Sequence, residues 1–337
     1  MKNWLITGGC GFIGTRLISR LVSDSNNQVC VLDNLSCGSR EDLGLVTDFD
    51  ELKPSQVLSV FTEAGSKKCA LVEGDILDEK LANGIAARAE VIVHLAANTG
   101  VGPSVENPRK DCLTNVIGTL NYLEAARQRT SCKFIFASSG APLGEIAEPP
   151  IHEKLPSNPV SPYGASKLAG EGYCSAYFNT YGVSTVALRF GNVYGPGSVH
   201  KDSVVAKFIK SALNGETLEI YGDGKQTRDF IYIDDLVNAI ICAAESENVG
   251  GEKFQIATNR ESTVAELLEV LCNILHENSI TDVDVVYGQA RVGDVKRNFS
   301  DISKAKRMLG WSPEFDLKTG LEHTVDYFMK IAEQNNE

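Results

Sequence analysis

The sequence predicts an α/β protein in which helices cover both faces of a parallel β-sheet. Short strand-like apolar runs alternate with stretches of helical spacing over the first 190 residues. A glycine-rich segment joins the first strand pattern to the first helical one. The 337 residues are 43% apolar and 23% charged, so the chain can bury the large core that such a fold needs.

The elements of the first part follow from the change of period along the chain. Residues 4–7 are a short strand pattern, and 12–24 then take helical spacing, with Ile13, Leu17 and Leu21 on one face. Further strands are predicted at 28–32, 91–97, 133–138 and 184–190, and further helices at 116–127 and 164–178. The segment 41–68 is polar without a clear period, which indicates a surface insertion.

After residue 190 the pattern loosens, and we expect a smaller, mostly C-terminal α/β lobe. It contains a helical stretch at 203–213, a capping box of Thr263 and Glu266 before an apolar run, and a short helix at 303–309 that ends at Gly310. We therefore predict a first domain of residues 1–190, to which the chain returns at 230–257. The second lobe takes 191–229 and 258–337.

Charge and cysteine spacing exclude several classes of protein. With 44 acidic and 32 basic residues the net charge is −12, which disfavours a nucleic-acid-binding surface. No apolar stretch is long enough to span a bilayer and no signal peptide precedes the first strand pattern, so we expect a soluble, cytoplasmic protein without a membrane partner. The nine cysteines form no Cys-x-x-Cys pair, which predicts neither disulfides nor a metal site.

The glycine-rich segment is typical of a dinucleotide site. Gly8, Gly11 and Gly14 lie between the first strand and the first helix, with Phe12 and Ile13 at the start of that helix. Such glycines permit a tight turn, close approach of the backbone to a pyrophosphate and close packing of helix on sheet. An ordinary glycine-rich turn is the alternative, but the context favours a dinucleotide.

An acidic residue at the end of the second strand indicates which dinucleotide binds. Asp33 would accept hydrogen bonds from ribose hydroxyls and repel a 2′-phosphate, which favours NAD over NADP. We expect the loop from Asn34 to Gly38 to follow the ribose, and Asp75 and Ile76 to lie against the adenine. For Asp75, a simple turn aspartate is the alternative.

Tyr163 and Lys167 are spaced as an acid/base pair. Residues four apart at the start of a helix lie on one face, one turn from each other. A nearby ammonium and a positively charged nicotinamide ring would help the phenol of Tyr163 to act as a base, and Lys167 would also bind the nicotinamide ribose. By itself this spacing is common on solvated helices, so it indicates a catalytic pair only because a dinucleotide motif precedes it in the chain.

A hydroxyl partner is expected at the carboxyl end of the preceding strand, where open parallel sheets bind ligands. That strand ends in Ser138 and Ser139. We predict that Ser139 hydrogen-bonds the reacting oxygen while Ser138 satisfies the backbone, and an exchange of these two roles is the alternative.

Ordered motifs along nearly the whole chain resemble the extended short-chain dehydrogenase/reductases, and most closely the UDP-hexose 4-epimerases of their nucleotide-sugar branch. The matching segments, beside those above, are Gly74-Asp-Ile, His94-Leu-Ala-Ala97, Asn115-Val-Ile-Gly-Thr119, Leu188-Arg-Phe-Gly-Asn-Val-Tyr-Gly195, Tyr221-Gly-Asp-Gly224, Gln226-Thr-Arg-Asp-Phe230, Arg291-Val-Gly-Asp294 and Asp301-Ile-Ser-Lys-Ala305. The resemblance implies a Rossmann-type fold, bound NAD and a UDP-sugar substrate.

The resemblance also assigns residues that the local patterns do not. It places Leu95, Ala96, Ala97 and Asn115 at the cofactor. It gives Asn192, Arg228 and Arg291 to the substrate diphosphate and Asp294 to the nucleotide ribose. The two arginines supply the local positive charge that an acidic protein needs for an anionic ligand.

The reaction type is indicated by a departure from related enzymes. Relatives that remove water or carbon dioxide carry a carboxylate where this chain has Gly140 and Ala141. The resemblance then implies oxidation at C4 by Tyr163 and NAD, rotation of the 4-keto sugar and re-reduction. The alternatives are a UDP-glucuronate 4-epimerase, a reductase, a 4,6-dehydratase, a decarboxylase, or a catalytically silent NAD sensor.

The resemblance extends to sugar size and assembly. A position four residues after Asp294 borders the sugar's C2 substituent in these epimerases, and Asn298 there would leave room for an acetamido group. The alternative is that Asn298 satisfies loop backbone. The helices at 116–127 and 164–178 are those through which the family often forms a homodimer.

Overall fold

A computed structural model describes residues 1–59, 61, 67–129, 131–145, 148–281, 283–290 and 295–334. Within these ranges, no helix is long and apolar enough to cross a membrane. No group of three or more His, Cys, Asp or Glu in this part of the chain is arranged to hold a metal ion. All nine cysteines are unpaired.

Fourteen β-strands are found among the described residues. In chain order they are β1 (Lys2–Thr7), β2 (Asn27–Asp33), β3 (Asp50–Leu52), β4 (Cys69–Glu73), β5 (Val91–His94), β6 (Lys133–Ser139), β7 (Ser184–Phe190), β8 (Asn192–Tyr194), β9 (Leu218–Tyr221), β10 (Thr227–Arg228), β11 (Phe230–Tyr232), β12 (Glu252–Ile256), β13 (Ser262–Thr263) and β14 (Val285–Gly288).

Helices connect most of these strands. In the described ranges they are α1 (Phe12–Val22), α2 (Arg40–Gly44), α3 (Glu79–Ala86), α4 (Val101–Glu106), α5 (Pro108–Cys112), α6 (Gly118–Arg127), α7 (Pro162–Tyr181), α8 (Val204–Leu213), α9 (Ile233–Glu245), α10 (Val264–Glu277), α11 (Ser303–Leu309) and α12 (Leu317–Gln334). A π-helical turn, Leu113–Ile117, joins α5 to α6.

The main sheet has eight parallel strands in the order β12-β7-β6-β5-β1-β2-β4-β3. Alternate residues of β1 enter opposite hydrophobic clusters: Leu5 packs with residues of α3 and α6, whereas Trp4 and Ile6 pack with those of α1 and α9. Both faces are therefore buried, as in a doubly wound sheet. The predicted α/β fold class is confirmed.

The segment 41–68 differs from the expected simple surface insertion. Its described residues include part of α2, the strand β3 and a 3₁₀ turn, Pro54–Ser59. β3 pairs in parallel with β4 and ends the main sheet. The polar sequence Asp50-Glu-Leu52 gave no strand signal because pairing with the open edge of β4, and not local periodicity, makes it a strand.

Three two-stranded sheets lie outside the main one. They pair β8 with β11, β10 with β13, and β9 with β14. The first places Asn192 beside Phe230 at the carboxyl end of β7. β12 adds to the main sheet beside β7. The division into two lobes at residues 190, 230 and 257 stays a prediction.

Candidate active site

The glycine loop turns tightly between β1 and α1. Gly8 has φ 71°, and a Cβ there would lie 2.7 Å from the backbone nitrogen of Ala96, so no larger residue fits. Gly11 precedes α1 without a side-chain cap, and the first turn of α1 has no acidic residue. The positive end of this helix therefore meets no negative side chain of its own, which suits a diphosphate.

Asp33 links the glycine loop to the next loop of the site. It ends β2 and is 8% exposed. One carboxylate oxygen accepts the amide of Cys10 at 2.9 Å, and the other accepts that of Leu35 at 2.8 Å. Burial raises the pKa of this carboxyl, and the backbone hydrogen bonds oppose that rise.

The predicted adenosine loop is held by Asp75. Asn34 donates to one Asp75 oxygen at 3.3 Å, and the other oxygen accepts the amide of Leu77 at 2.9 Å. Asp75 is thus a turn aspartate, as the alternative had it, and also holds the loop that ends at Gly38. Ile76 is buried. Contact of Asp75 and Ile76 with adenine stays a prediction.

The residues after β5 close the glycine loop from the other side. The amides of Leu95 and Ala96 both donate to the Thr7 carbonyl, at 3.1 and 3.0 Å. This ends the strand at His94, earlier than the predicted residue 97. Leu95 and Ala96 consequently lie beside the glycine turn. Contact of Leu95, Ala96 and Ala97 with the cofactor stays a prediction.

Asn115 lies buried in the π-helical turn. Its Nδ2 is within hydrogen-bonding distance of the Asn98 carbonyl at 3.0 Å, Asp111 Oδ1 at 2.9 Å and Ser166 Oγ at 3.1 Å. Its Oδ1 accepts the Asn98 amide at 2.7 Å. Asn115 therefore connects the loop after β5 with the first turns of α7, where Tyr163 lies.

Tyr163 and Ser139 meet where α7 approaches the end of β6. A Cβ on Gly164 would lie 2.5 Å from the Ala141 carbonyl oxygen, so glycine allows this approach. Burial raises the pKa of Tyr163 to about 12, a hydrogen bond with Ser139 lowers it, and the charge of Asp111 raises it. The protein groups alone do not make this phenol acidic, so the cationic nicotinamide ring that the sequence argument invoked would have to contribute.

Lys167 is a buried cation one turn along α7. It is 3% exposed and donates to the Ala137 carbonyl at 2.8 Å, and its Nζ lies 5.9 Å from the centre of the Tyr163 ring. Burial lowers its pKa to about 8, and the negative charge of Asp111 is the largest effect that opposes this. The structure thus brings Tyr163, Lys167 and Ser139 together, while their roles stay predictions.

The two serines that end β6 have different surroundings. Ser138 donates to Glu171 at 2.6 Å, and the same carboxylate binds Arg189 through two hydrogen bonds of 2.7 and 2.6 Å. Ser139 instead faces Tyr163. The expectation that Ser138 satisfies backbone is therefore wrong, because its hydroxyl binds the carboxylate of a buried ion pair.

Sequence reasoning missed that ion pair and Asp111. Glu171 follows Lys167 by four residues in α7, so helical spacing alone places it on the same face. Arg189 belongs to a strand pattern, and a charged residue inside a buried strand is itself a signal. Asp111 gave no signal, because its proximity to the site depends on how α5 packs against α7.

Two predicted substrate residues lie where the small sheets meet the main one. Asn192 is exposed at the start of β8, and its amide donates to the Asp229 carbonyl at 2.9 Å. Arg228 donates through Nη1 to the carbonyls of Thr227 and Val295, at 2.7 and 2.6 Å. These bonds hold Arg228 next to the segment of residues 295–300.

Asn298 belongs to that segment and is half-buried. Its backbone amide donates to Thr227 Oγ1 at 3.2 Å, and its side-chain amide makes no hydrogen bond to a described residue. The sugar contact stays a prediction. Arg291 and Asp294 lie outside the described residues.

Asp229, which sequence reasoning also missed, fixes the same segment. Its carboxylate accepts the backbone amides of Thr258, Asn259 and Ser300, at 2.7, 3.1 and 3.1 Å. It therefore ties the loop after β12 to the end of the 295–300 segment. The motif Gln226-Thr-Arg-Asp-Phe230 was the available signal.

Comparison with known proteins identifies the family. Residues 4–257 match the profile of the NAD dependent epimerase/dehydratase family. The chain belongs to this family. As a member of this family it is an enzyme. Because the family is NAD dependent, the cofactor predicted from the glycine loop and Asp33 is confirmed. The residues fit NAD, since the Gly8 turn, the uncapped start of α1 and the carboxylate at the end of β2 are arranged around one loop.

Relatives within the family include sugar-nucleotide epimerases. UDP-glucose 4-epimerase of Mycolicibacterium smegmatis is 35% identical over 96% of this chain and 97% of its own. The crystal structure of UDP-glucose 4-epimerase with UDP-glucose from Thermotoga maritima superposes with a TM-score of 0.85 at 36% identity, covering 98% and 99% of the two chains. UDP-N-acetylglucosamine 4-epimerase from Methanobrevibacter ruminantium, in complex with UDP-N-acetylmuramic acid, gives 0.86 at 32% identity, covering 98% and 99%.

Proposed function

We propose that this member of the epimerase/dehydratase family interconverts UDP-hexoses that differ at C4. The observation that carries the proposal is the contact between Tyr163 and Ser139 at the end of β6, with the buried Lys167 behind it. The full-length similarity to UDP-sugar 4-epimerases supports the substrate class.

Each side chain has a defined task in this scheme. Tyr163 takes the proton of the sugar 4-hydroxyl and later returns one to the oxygen at C4. Ser139 orients that oxygen through its hydroxyl. Lys167 places positive charge beside the phenolate and binds the nicotinamide ribose. NAD, when bound, supplies the oxidising power at C4 and returns the same reducing equivalent, so no net oxidation results.

Epimerisation needs the sugar to turn within the site while its nucleotide stays bound. Arg228 and Asn192, near the 295–300 segment, would hold the diphosphate, together with Arg291. Both side chains lie on the small sheets and not on α7, so the anchor and the acid/base pair belong to separate elements. This arrangement leaves the sugar free to present either face to Tyr163.

The absence of an acid next to Ser139 favours epimerisation over dehydration. Gly140 and Ala141 begin the 3₁₀ turn after β6 and carry no ionisable side chain. A dehydratase needs a further acid or base for loss of water. The family includes both reaction types, so a 4,6-dehydratase or another nucleotide-sugar modifier is the second candidate.

Turnover without an added reductant tests the proposal. The purified enzyme is incubated with UDP-galactose, and the products are separated and weighed by mass spectrometry. An isomer of unchanged mass supports epimerisation, and a product lighter by one water indicates a dehydratase. Consumption of added NADH indicates a reductase, and NAD binding without turnover a sensor. Tyr163→Phe is the control for contaminating activity.

A homodimer through α6, α7 and the π-helical turn is part of the proposal. The exposed apolar side chains on these elements are Leu113, Ile117, Tyr173, Phe178 and Tyr181, each 38 to 52% exposed. Such a group of large apolar side chains is typical of an interface. Light scattering at micromolar concentration gives the mass of a dimer if this is correct and that of a single chain if it is not.

A further inference from the structure

Asp111 is a buried carboxylate close to the acid/base pair that the scheme above does not use. It is 1% exposed and lies in α5, which packs against α7. Its Oδ1 accepts a hydrogen bond from Asn115 at 2.9 Å, and its Oδ2 has no hydrogen-bond partner among the described residues. A buried carboxylate held by one neutral amide is costly unless a positive charge is near.

A chain of hydrogen bonds leads from Asp111 to the start of α7. Asn115 Nδ2 contacts both Asp111 and Ser166 Oγ, and Ser166 donates to the Tyr163 carbonyl at 3.0 Å. Ser166 precedes Lys167 directly. Asp111 is thus connected to the same turn of helix that carries Tyr163 and Lys167.

The other titratable groups around Lys167 do not balance its charge. Glu171 is bound by Arg189 through two hydrogen bonds, so that pair is neutral as a whole. Burial raises the pKa of the Cys174 thiol, which keeps it uncharged. His94 on β5 is fully buried between Thr7 and Thr119, and burial, with the charge of Lys167 after it, lowers its pKa to about 3.

We propose that Asp111 is the counterion of Lys167, a positioning residue that keeps the buried ammonium charged for NAD binding. It acts through space and through Asn115 and Ser166, and not by a direct ion pair with Lys167. The inference rests on the NAD site alone and is independent of the sugar. The shift of the Lys167 pKa agrees with the proposal, since burial lowers this pKa and the charge of Asp111 opposes the fall.

The consequence is a pH dependence of NAD retention. Above the Lys167 pKa of about 8 the ammonium loses its proton, so NAD is held less strongly as pH rises. Replacing Asp111 by a neutral residue lowers the Lys167 pKa further. The loss of NAD therefore moves to lower pH, by on the order of one pH unit, the lower end of the effect that a nearby opposite charge has on a pKa.

The test is the exchange of isotopically labelled NAD into the holoenzyme as a function of pH, which needs no sugar substrate. For wild type we expect exchange to accelerate as pH rises through the Lys167 pKa. For Asp111→Asn the same transition should occur at lower pH, and Asp111→Glu, which restores the charge, should return it towards wild type. Lys167→Met should remove the transition.

Asp235→Asn is the matched control. Asp235 of α9 is also a buried carboxylate, 2% exposed, but it accepts the amides of Glu314 and Phe315 and is not among the charges that act on the Lys167 pKa. Its loss should leave the pH of the transition unchanged. If Asp111→Asn yields too little folded protein, Asp111→Ser carries the same expectation. The proposal would be overturned if NAD exchange in the neutral Asp111 variants accelerated at the same pH as in wild type. It would also be overturned if Asp235→Asn moved that pH as far as Asp111→Asn does.

Discussion

Replacement of Arg189 by methionine should severely destabilise the protein. The side chain of Arg189 is 0% exposed and that of Glu171 is 5% exposed, and two hydrogen bonds of 2.7 and 2.6 Å join them. Methionine fills much of the same volume but leaves the Glu171 carboxylate buried, with the Ser138 hydroxyl as its remaining described partner. Removing one member of such a buried pair costs about 3–5 kcal/mol.

A surface pair provides the comparison. Arg16 of α1 binds Asp234 of α9, but their side chains are 39% and 29% exposed. Arg16→Met should therefore cost about 0–1 kcal/mol, because water solvates both charges when the pair is broken. The double variant Arg189→Met with Glu171→Met should be more stable than Arg189→Met alone, since it leaves no stranded charge.

Urea unfolding measures both effects. Trp4 and Trp311 are each 1% exposed, so their fluorescence reports loss of the core. The deficit of Arg189→Met should shrink as pH falls, because protonation neutralises the stranded carboxylate in the folded state. Arg189→Met and Arg16→Met with equal unfolding free energies would refute this account of the buried pair.

Four further predictions concern the site. Tyr163→Phe should keep the fold and NAD but lose about 10²- to 10⁴-fold in turnover, and more than half of wild-type activity would place the base elsewhere. Lys167→Met should weaken NAD retention and move the activity optimum to higher pH, because the phenol then ionises without the ammonium; unchanged behaviour in both assays removes Lys167 from the mechanism. Asp33→Ala should reduce affinity for NAD more than for NADP in binding titrations, and the reverse order contradicts the ribose contact. Asn298→Tyr should abolish turnover of UDP-GlcNAc and UDP-GalNAc while sparing the unsubstituted pair, and equal loss of both pairs places the size filter at another residue.

Elements with strong local patterns were predictable from the sequence. The strand at 184–190 and the helix at 303–309 have the predicted bounds, and the capping box of Thr263 and Glu266 is formed by hydrogen bonds of 3.0 and 2.8 Å. In each case the residues that make the element are neighbours in sequence. Their preference does not depend on the rest of the fold.

Features that depend on distant packing were not predictable. The helix expected at 116–127 is α-helical only from Gly118, because a π-helical turn precedes it. That turn carries Asn115, whose partners come from the loop after β5 and from α5 and α7. In the site, the spacing of Tyr163 and Lys167 was visible in the sequence, whereas Asp111 is brought near only by the packing of α5 against α7.

The short strand β3 has a consequence for the behaviour of the protein at high concentration. An open edge of a parallel sheet can recruit a strand from another molecule, and β4 would present such an edge without β3. β3 is only three residues long and carries Asp50 and Glu51, which pair with Lys67 and Arg40, so it offers a short, charged edge in place of the apolar β4. The polar segment that the sequence predicts to be an insertion thus disfavours aggregation through this edge of the sheet.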